Sequence, residues 1–187
     1  MTLQEHPPAV RYRLTGADYE LLAEAGTFDG VRTELIDGEV LLMSPQHRPH
    51  GMVKMRLLRA LDRALTSTGS GLEAVVEFTL ALGRHDMADP DIMLTSEPEG
   101  DGAVPPGSVA LVIEVADTSL GFDLGRKARL YAAAAIPEYW VADVNGRVLH
   151  QHWRPEGETY TDRRAIPFGE PVNAATIPGL TIATADL

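Results

Sequence analysis

The segment Val109-Ala110-Leu111-Val112-Ile113-Glu114-Val115-Ala116 is apolar at every position but one. A strand with one wet face alternates polar and apolar residues. A run that is apolar on both faces belongs in the middle of a sheet covered on both sides. The run also raises a question of charge. Burying an unpaired carboxylate costs several kcal/mol, roughly what a whole domain can spare. Glu114 therefore needs compensation, from an Arg or Lys in a structural ion pair, from a metal ion, or from a water-filled cleft.

The elements around this strand follow from periodicity and punctuation. Residues 1–13 read as an irregular arm. Thr15 then caps a short helix, with Asp18 three residues on as its capping-box acid, Tyr19, Leu21 and Leu22 as its apolar side and Gly26 as its stop. Asp37-Gly38 between Thr33–Ile36 and Glu39–Met43 signals a hairpin, and Ser44-Pro45 ends its second strand. Val53, Leu57, Leu58, Leu61, Ala64 and Leu65 recur at helical spacing over His50–Ser67, with Arg56, Arg59 and Arg63 opposite. One long strand is expected over Leu72–Leu82 and another over Asp89–Thr95, followed by a loop over Glu97–Ser108. An Ala-rich helix spans Leu124–Ala135. Strands at Tyr139–Asp143 and Arg147–Trp153 flank the Asn145-Gly146 turn, and a last pair covers Thr159–Ile166 and Val172–Ile177. With no repeat and no linker, residues 1–187 read as one α/β (α+β) domain on a mixed sheet.

Composition narrows the function classes. The chain has 187 residues, enough for one sizeable core. It carries 27 acids against 16 bases, a net charge of -11, which disfavours non-specific coating of nucleic acid. Having no Cys removes disulfides, thiolate metal sites and Cys nucleophiles. No apolar run approaches the about 20 residues of a membrane span, and Met1–Val10 lacks the basic start and apolar stretch of a signal peptide. These features give the expectation of a cytoplasmic protein. No Gly-rich phosphate loop or Gly-x-Ser-x-Gly elbow is present.

Further acids change how Glu114 reads. Asp91 opens a second apolar strand in Ala88-Asp89-Pro90-Asp91-Ile92-Met93-Leu94, and Pro90, with no N–H, suits a strand start. If the two strands are neighbours, Asp91 and Glu114 face one cleft and repel each other unless a cation lies between them. An oxygen-only donor set suits Mg²⁺ or Mn²⁺ better than Zn²⁺. Lys127 follows Asp123 by four residues on the next helix. It is one of two lysines (with Lys54) among 14 arginines, and its compact charge can approach a water or a phosphate. The plainer reading is an exposed Asp–Lys pair. Glu34, taken alone, is a solvated strand residue.

Taken in order, Glu34-Leu35-Ile36-Asp37-Gly38-Glu39, Met43-Ser44-Pro45 with His50, Asp89-Pro90-Asp91, Val112-Ile113-Glu114-Val115, Asp123 with Lys127 and Tyr131, and Glu138-Tyr139-Trp140-Val141-Ala142-Asp143 resemble the Uma-two family of restriction-endonuclease-like proteins, within the PD-(D/E)xK nuclease superfamily. The resemblance runs over about residues 30–153. It implies a restriction-endonuclease-like fold, a central mixed β-sheet flanked by helices, with metal-binding acids on adjacent strands. It makes Asp91 the acid of the PD element, Glu114 the acid of the ExK element and Glu34 an additional upstream acid. Ala116 stands where the motif has Lys, so the resemblance is to the branch whose Lys has moved to the following helix, here Lys127. The implied activity is Mg²⁺- or Mn²⁺-assisted hydrolysis of DNA phosphodiester bonds. Asp91, Glu114 and Glu34 would hold the metal and Lys127 would orient the attacking water, with His50, Asp123 and Arg126 as supporting or phosphate-contacting residues.

Two other classes compete with this reading: a non-catalytic binding or scaffold module on the same fold, which the net charge favours, and a metal-dependent hydrolase of a small phosphodiester. His47 and His50 lack a third ligand for Zn²⁺ and read as polar side chains facing solvent, and His150 and His152 as a solvated strand face. Arg56, Arg59 and Arg63, like Arg126 and Arg129, read either as phosphate contacts or as solvated helix faces. Tyr139 and Trp140 are expected to pack, not to stack on bases. A homodimer is expected, with the apolar stretch Val172–Ile182 as its contact.

Overall fold

A computed structural model describes residues 10–187. The reading of residues 1–13 as an arm lies mostly outside them; residues 10–15 have no regular structure. Thr15 caps α1 (Gly16–Glu24), and the reciprocal capping box with Asp18 is present. Strands β1 (Thr33–Ile36) and β2 (Glu39–Leu42) form the expected hairpin, with Asp37 and Gly38 both at positive φ. Helix α2 (Arg48–Thr68) begins two residues earlier than periodicity suggests, because Pro49 supplies a favourable first turn. It ends on Gly69 in the left-handed conformation.

The next segment departs from expectation. Leu72–Leu82 is two strands, β3 (Glu73–Val75) and β4 (Leu80–Gly83), in different sheets. Between them Glu77 takes a left-handed conformation, φ 56°. Such a conformation breaks a strand, and no Gly marks the position. Strands β5 (Asp86–Ala88) and β6 (Ile92–Thr95) follow, with Asp91 just ahead of β6. Strand β7 (Val109–Ala116) pairs antiparallel with β6 and parallel with β8 (Glu138–Asp143). Strands β9 (Val148–Glu156) and β10 (Thr159–Pro167) continue the six-stranded mixed sheet, ordered β10-β9-β8-β7-β6-β3. A second sheet, β2-β1-β5-β4, carries Glu34. The expected Ala-rich helix runs from α3 (Leu120–Phe122) through a π-helical turn, Asp123–Lys127, into α4 (Ala128–Ala133). It stops two residues short of Ala135, which has φ 58°.

Alternation along β7 assigns the two sheet faces. Leu111, Ile113 and Val115 pack with Val53, Leu57, Leu61 and Leu65 of α2. Val112 and Ala116 turn the other way, with Ala128, Tyr131, Tyr139 and Val141. The central strand is thus covered on both sides, as its composition requires.

The C-terminal pairing also differs from expectation. β10 pairs with β9, and β11 (Val172–Asn173) pairs with β12 (Thr181–Ile182). Val172, Ile177, Leu180 and Ile182 are buried in the protein's own core, so the stretch expected to make a dimer contact is consumed internally. Glu138, fully buried, anchors this segment. Its carboxylate accepts hydrogen bonds from Trp140 Nε1 at 2.6 Å, from Gln151 Nε2, and from the backbone N–H groups of Ala175 and Thr176 at 2.9 and 2.8 Å. Glu138→Ala removes the acceptor of these groups, of which Trp140 Nε1 and Gln151 Nε2 belong to buried residues and Gln151 keeps the Asn173 carbonyl, so a loss of roughly 2–3 kcal/mol in urea unfolding is expected. A loss below about 1 kcal/mol would show that the segment is held by apolar packing alone.

Candidate functional site

The register of β6 and β7 decides where the acids meet. Ile92 pairs with Ile113, so the next position outward sets Asp91 beside Glu114. The backbone N–H of Val115 donates to Asp91 Oδ2 at 2.8 Å, and that of Asp91 donates to Glu114 Oε2 at 3.3 Å. From the second sheet, Glu34 arrives on the neighbouring wall. Its side chain is 2% exposed, not the solvated strand residue it resembles in isolation.

Lys127 joins the two walls. Its ammonium donates to Glu114 Oε1 at 2.8 Å and to Glu34 Oε1 at 3.0 Å, and its side chain is 3% exposed. The exposed Asp123–Lys127 pair is therefore absent. Within the π-helical turn both residues are buried, and Asp123 instead accepts from Ser119 Oγ at 2.5 Å. Single π turns of this kind recur at functional sites. Tyr131 OH donates to Glu114 Oε1 at 2.6 Å, so this oxygen has two donors.

The far side of Asp91 is built by α2 and the loop before it. His50 Nε2 lies 3.0 Å from Asp91 Oδ2, and Gln46 Nε2 donates to Oδ1 at 3.2 Å. Lys54, which the sequence reading gave no role, lies 3.4 Å from Asp91 Oδ1 and donates to Gln46 Oε1 and Glu77 Oε1, both at 2.7 Å. Both lysines of the chain thus enter one acidic network. The strained Glu77 is the hub on that side, since Arg32 reaches it as well, at 3.2 Å. In the sequence, its place next to Val53 of the apolar stripe of α2 is the one hint that Lys54 turns inward. His47 faces Asp117 at 3.3 Å across the mouth and lines the cleft.

Arg126 does not join the site. It donates to Asp37 Oδ2 at 2.8 Å and to the Ile36 carbonyl, clamping the β1–β2 turn. Tyr139 and Trp140 are fully buried, as expected. His152 is also largely buried, against Tyr139 and Tyr160, and burial pushes its pKa down to about 4, so the pair with His150 is not a fully solvated face.

The result is a cleft of about 400 Å³ lined by Glu34, Asp91, Glu114, Asp123 and Lys127. Burial pushes Glu114 up to about 8 against the pull of Lys127, and pushes Asp123 up to about 6. For Asp91 burial also acts upward, but the His50 hydrogen bond and charge, the Val115 N–H and Lys54 outweigh it, and its pKa is lowered. Among the described residues, no three carboxylates or imidazoles converge to cage an ion by themselves. Glu34 Oε2 is buried without a hydrogen-bond partner.

Stability should follow Glu114. Folding raises its pKa from 4.5 to about 8, so the folded state holds a proton that the unfolded chain has released. That contribution is complete below pH 4.5 and is lost as pH rises through 8. His152 acts with the opposite sign, but only up to its ordinary value of 6.5. In metal-free buffer the urea midpoint should therefore fall between pH 6.5 and 8, and Glu114→Gln should flatten that fall. A midpoint that rises over this range in the wild type would contradict the assignment.

Comparison with known proteins adds to this geometry. No curated protein matches the chain. Among solved structures it is similar to a crystal structure from Anabaena variabilis described as a "putative nuclease belonging to DUF820". The TM-score is 0.61 at 12% identity, over 83% of this chain and 84% of that one. At that identity the likeness establishes the fold alone, a central mixed sheet flanked by helices. A family match covers residues 17–185, under the description "Putative restriction endonuclease". Spanning every strand and every residue of the cleft, that match makes the chain a member of the Uma2 family.

Proposed function

We propose that this protein is a metal-dependent endonuclease that hydrolyses DNA phosphodiester bonds, with Asp91, Glu114, Glu34 and Lys127 as its working residues. The observation that carries the reading is the meeting of three acids and one buried lysine, from four separate elements, in one open cleft of a Uma2 protein. A structural ion pair alone would not need the third acid, nor leave Glu34 Oε2 buried and unpartnered.

The residues fit a hard divalent cation. The donors are carboxylate oxygens, and Mg²⁺ characteristically takes one or two protein carboxylates and keeps several waters, so a three-acid cage is not required. Asp91 and Glu114 would hold Mg²⁺ or Mn²⁺, and Glu34 would act on that site through Lys127, which its Oε1 binds. When bound, such an ion polarises a phosphoryl oxygen and lowers the pKa of a coordinated water. The protein's own groups do the rest. Val115 N–H and His50 fix the orientation of Asp91. Tyr131 and Lys127 hold Glu114 through Oε1, which turns Oε2 away from them. The Lys127 ammonium stays protonated among the acids, with its pKa raised by Glu114 and Glu34. It orients a water and offsets charge on a phosphate entering the cleft.

Purified protein should nick supercoiled plasmid with Mg²⁺ or Mn²⁺ and not with EDTA. Glu114→Ala and Asp91→Ala should abolish nicking. Lys127→Met should lower the rate by roughly 10²–10³, the range for losing one electrostatic catalytic group, and should also cost roughly 3–5 kcal/mol of stability because two buried carboxylates lose their partner, so the rates are compared where both proteins are folded. Equal nicking by wild type and Glu114→Ala would assign the activity to another site or to a contaminant and overturn the reading.

A further inference from the structure

Helix α2 is charged unlike the rest of the chain. It carries five of the 16 bases and one of the 27 acids. Lys54 turns inward to Glu77 and Asp91. The other four, Arg48, Arg56, Arg59 and Arg63, are exposed. Among the described residues none of these four makes an ion pair; Arg84, Arg129, Arg147, Arg163 and Arg164 make none either but are spread over other elements, whereas α2 gathers four on one face. At the helical 3.6 residues per turn the four lie within a stripe roughly 80° wide and roughly 22 Å long.

The fold gains nothing from this stripe. Arg56, Arg59 and Arg63 are spaced three and four residues apart, where like charges repel and weaken a helix. Nor is the stripe needed for solubility in a chain of net charge -11. Its position is more telling. The N-terminal end of α2, at His47 and His50, lines the acidic cleft. Further along, Arg56, Arg59 and Arg63 wall a groove of about 300 Å³, with Asp186 and Leu187 on the opposite rim. A ridge of unpaired guanidinium groups leading from the cleft fits a polyanion with regularly spaced charges. An anionic membrane fits less well, because the apolar side of α2, Val53, Leu57, Leu61 and Leu65, is spent on the core.

We propose that the exposed arginine face of α2 binds the sugar–phosphate backbone of the DNA whose strand enters the cleft, through charge and without reading base sequence. The inference rests on the nuclease reading for the identity of the polyanion. Local charge of this kind makes a binding face compatible with an acidic chain, since salt screens more distant acids beyond about 10 Å.

The test is fluorescence anisotropy of labelled DNA, in EDTA so that no cutting occurs, over a range of salt. The variant Arg56→Gln/Arg59→Gln/Arg63→Gln is compared with Arg84→Gln/Arg129→Gln/Arg163→Gln, which removes the same charge from exposed positions elsewhere. The α2 variant should bind at least about tenfold more weakly at low salt, with the slope of log K against log salt reduced by about 3, and the control should change less than about twofold. Equal losses in the two variants would overturn the proposal. So would a wild type that binds no DNA, or one that binds phosphatidylserine vesicles through these arginines in place of DNA. The two readings fail separately. DNA binding through α2 without metal-dependent nicking would refute the nuclease alone. Nicking that depends on Glu114 and keeps its KM in the α2 variant would refute the track alone.

Discussion

The ion pair of Lys127 with Glu114 and Glu34 is the contact on which the rest of the arrangement depends. It resolves the problem set by a carboxylate in the middle of an apolar strand, and it does so with a group from another layer of the protein. Removing one member of such a buried cluster leaves charge without compensation, which costs far more than the net worth of the pair. The same contact ties the second sheet, through Glu34, to the central sheet, through Glu114, and to the helix that follows. The cleft exists because these three elements are held together at one point.

The arrangement is asymmetric in a way that chemistry can use. Glu114 and Asp123 lie deep, where burial favours their protonated forms. Asp91, with His50, Lys54 and a backbone N–H around it, is biased toward the carboxylate. Two neighbouring acids are thus pushed in opposite directions by their surroundings, a pattern that marks functional sites more often than structural ones. Around Asp91, Glu77 accepts a strained backbone conformation and in return holds Lys54 and Arg32. Backbone strain of this sort persists where surrounding contacts over-determine it.

Legibility in the sequence followed the range of the interactions. The buried strand around Glu114, the β1–β2 hairpin, the α1 cap and the α2 face were all readable, because each is set by spacing within a few residues. Asp91 is legible as an acid opening a second apolar strand after Pro90, while the adjacency of that strand to the one bearing Glu114 comes from the structure. The family resemblance, and not local pattern, raised Glu34, since its burial comes from a second sheet that no periodicity announces. Lys54 and Glu77 were missed because their roles rest on contacts across the fold and on a left-handed residue that is not a glycine. Glu138 was quoted only within a motif. Its hydrogen bonds to residues 175 and 176 also explain why the C-terminal strands pair differently from the sequence expectation. Arg126 shows the converse error: a base beside a site residue in sequence serves a turn in another sheet.

The acid surplus, which at first argues against a nucleic-acid substrate, also becomes intelligible. Part of it lines the cleft, and four exposed, unpaired bases share one face of the helix leading from it. The central claim is that the cleft is a divalent-cation site. An anomalous difference map from Mn²⁺-soaked crystals tests it most directly. The account expects a peak bridging the carboxylates of Asp91 and Glu114 that disappears in Glu114→Gln. Ordered Mn²⁺ elsewhere on the protein, with none between those two residues, would contradict it.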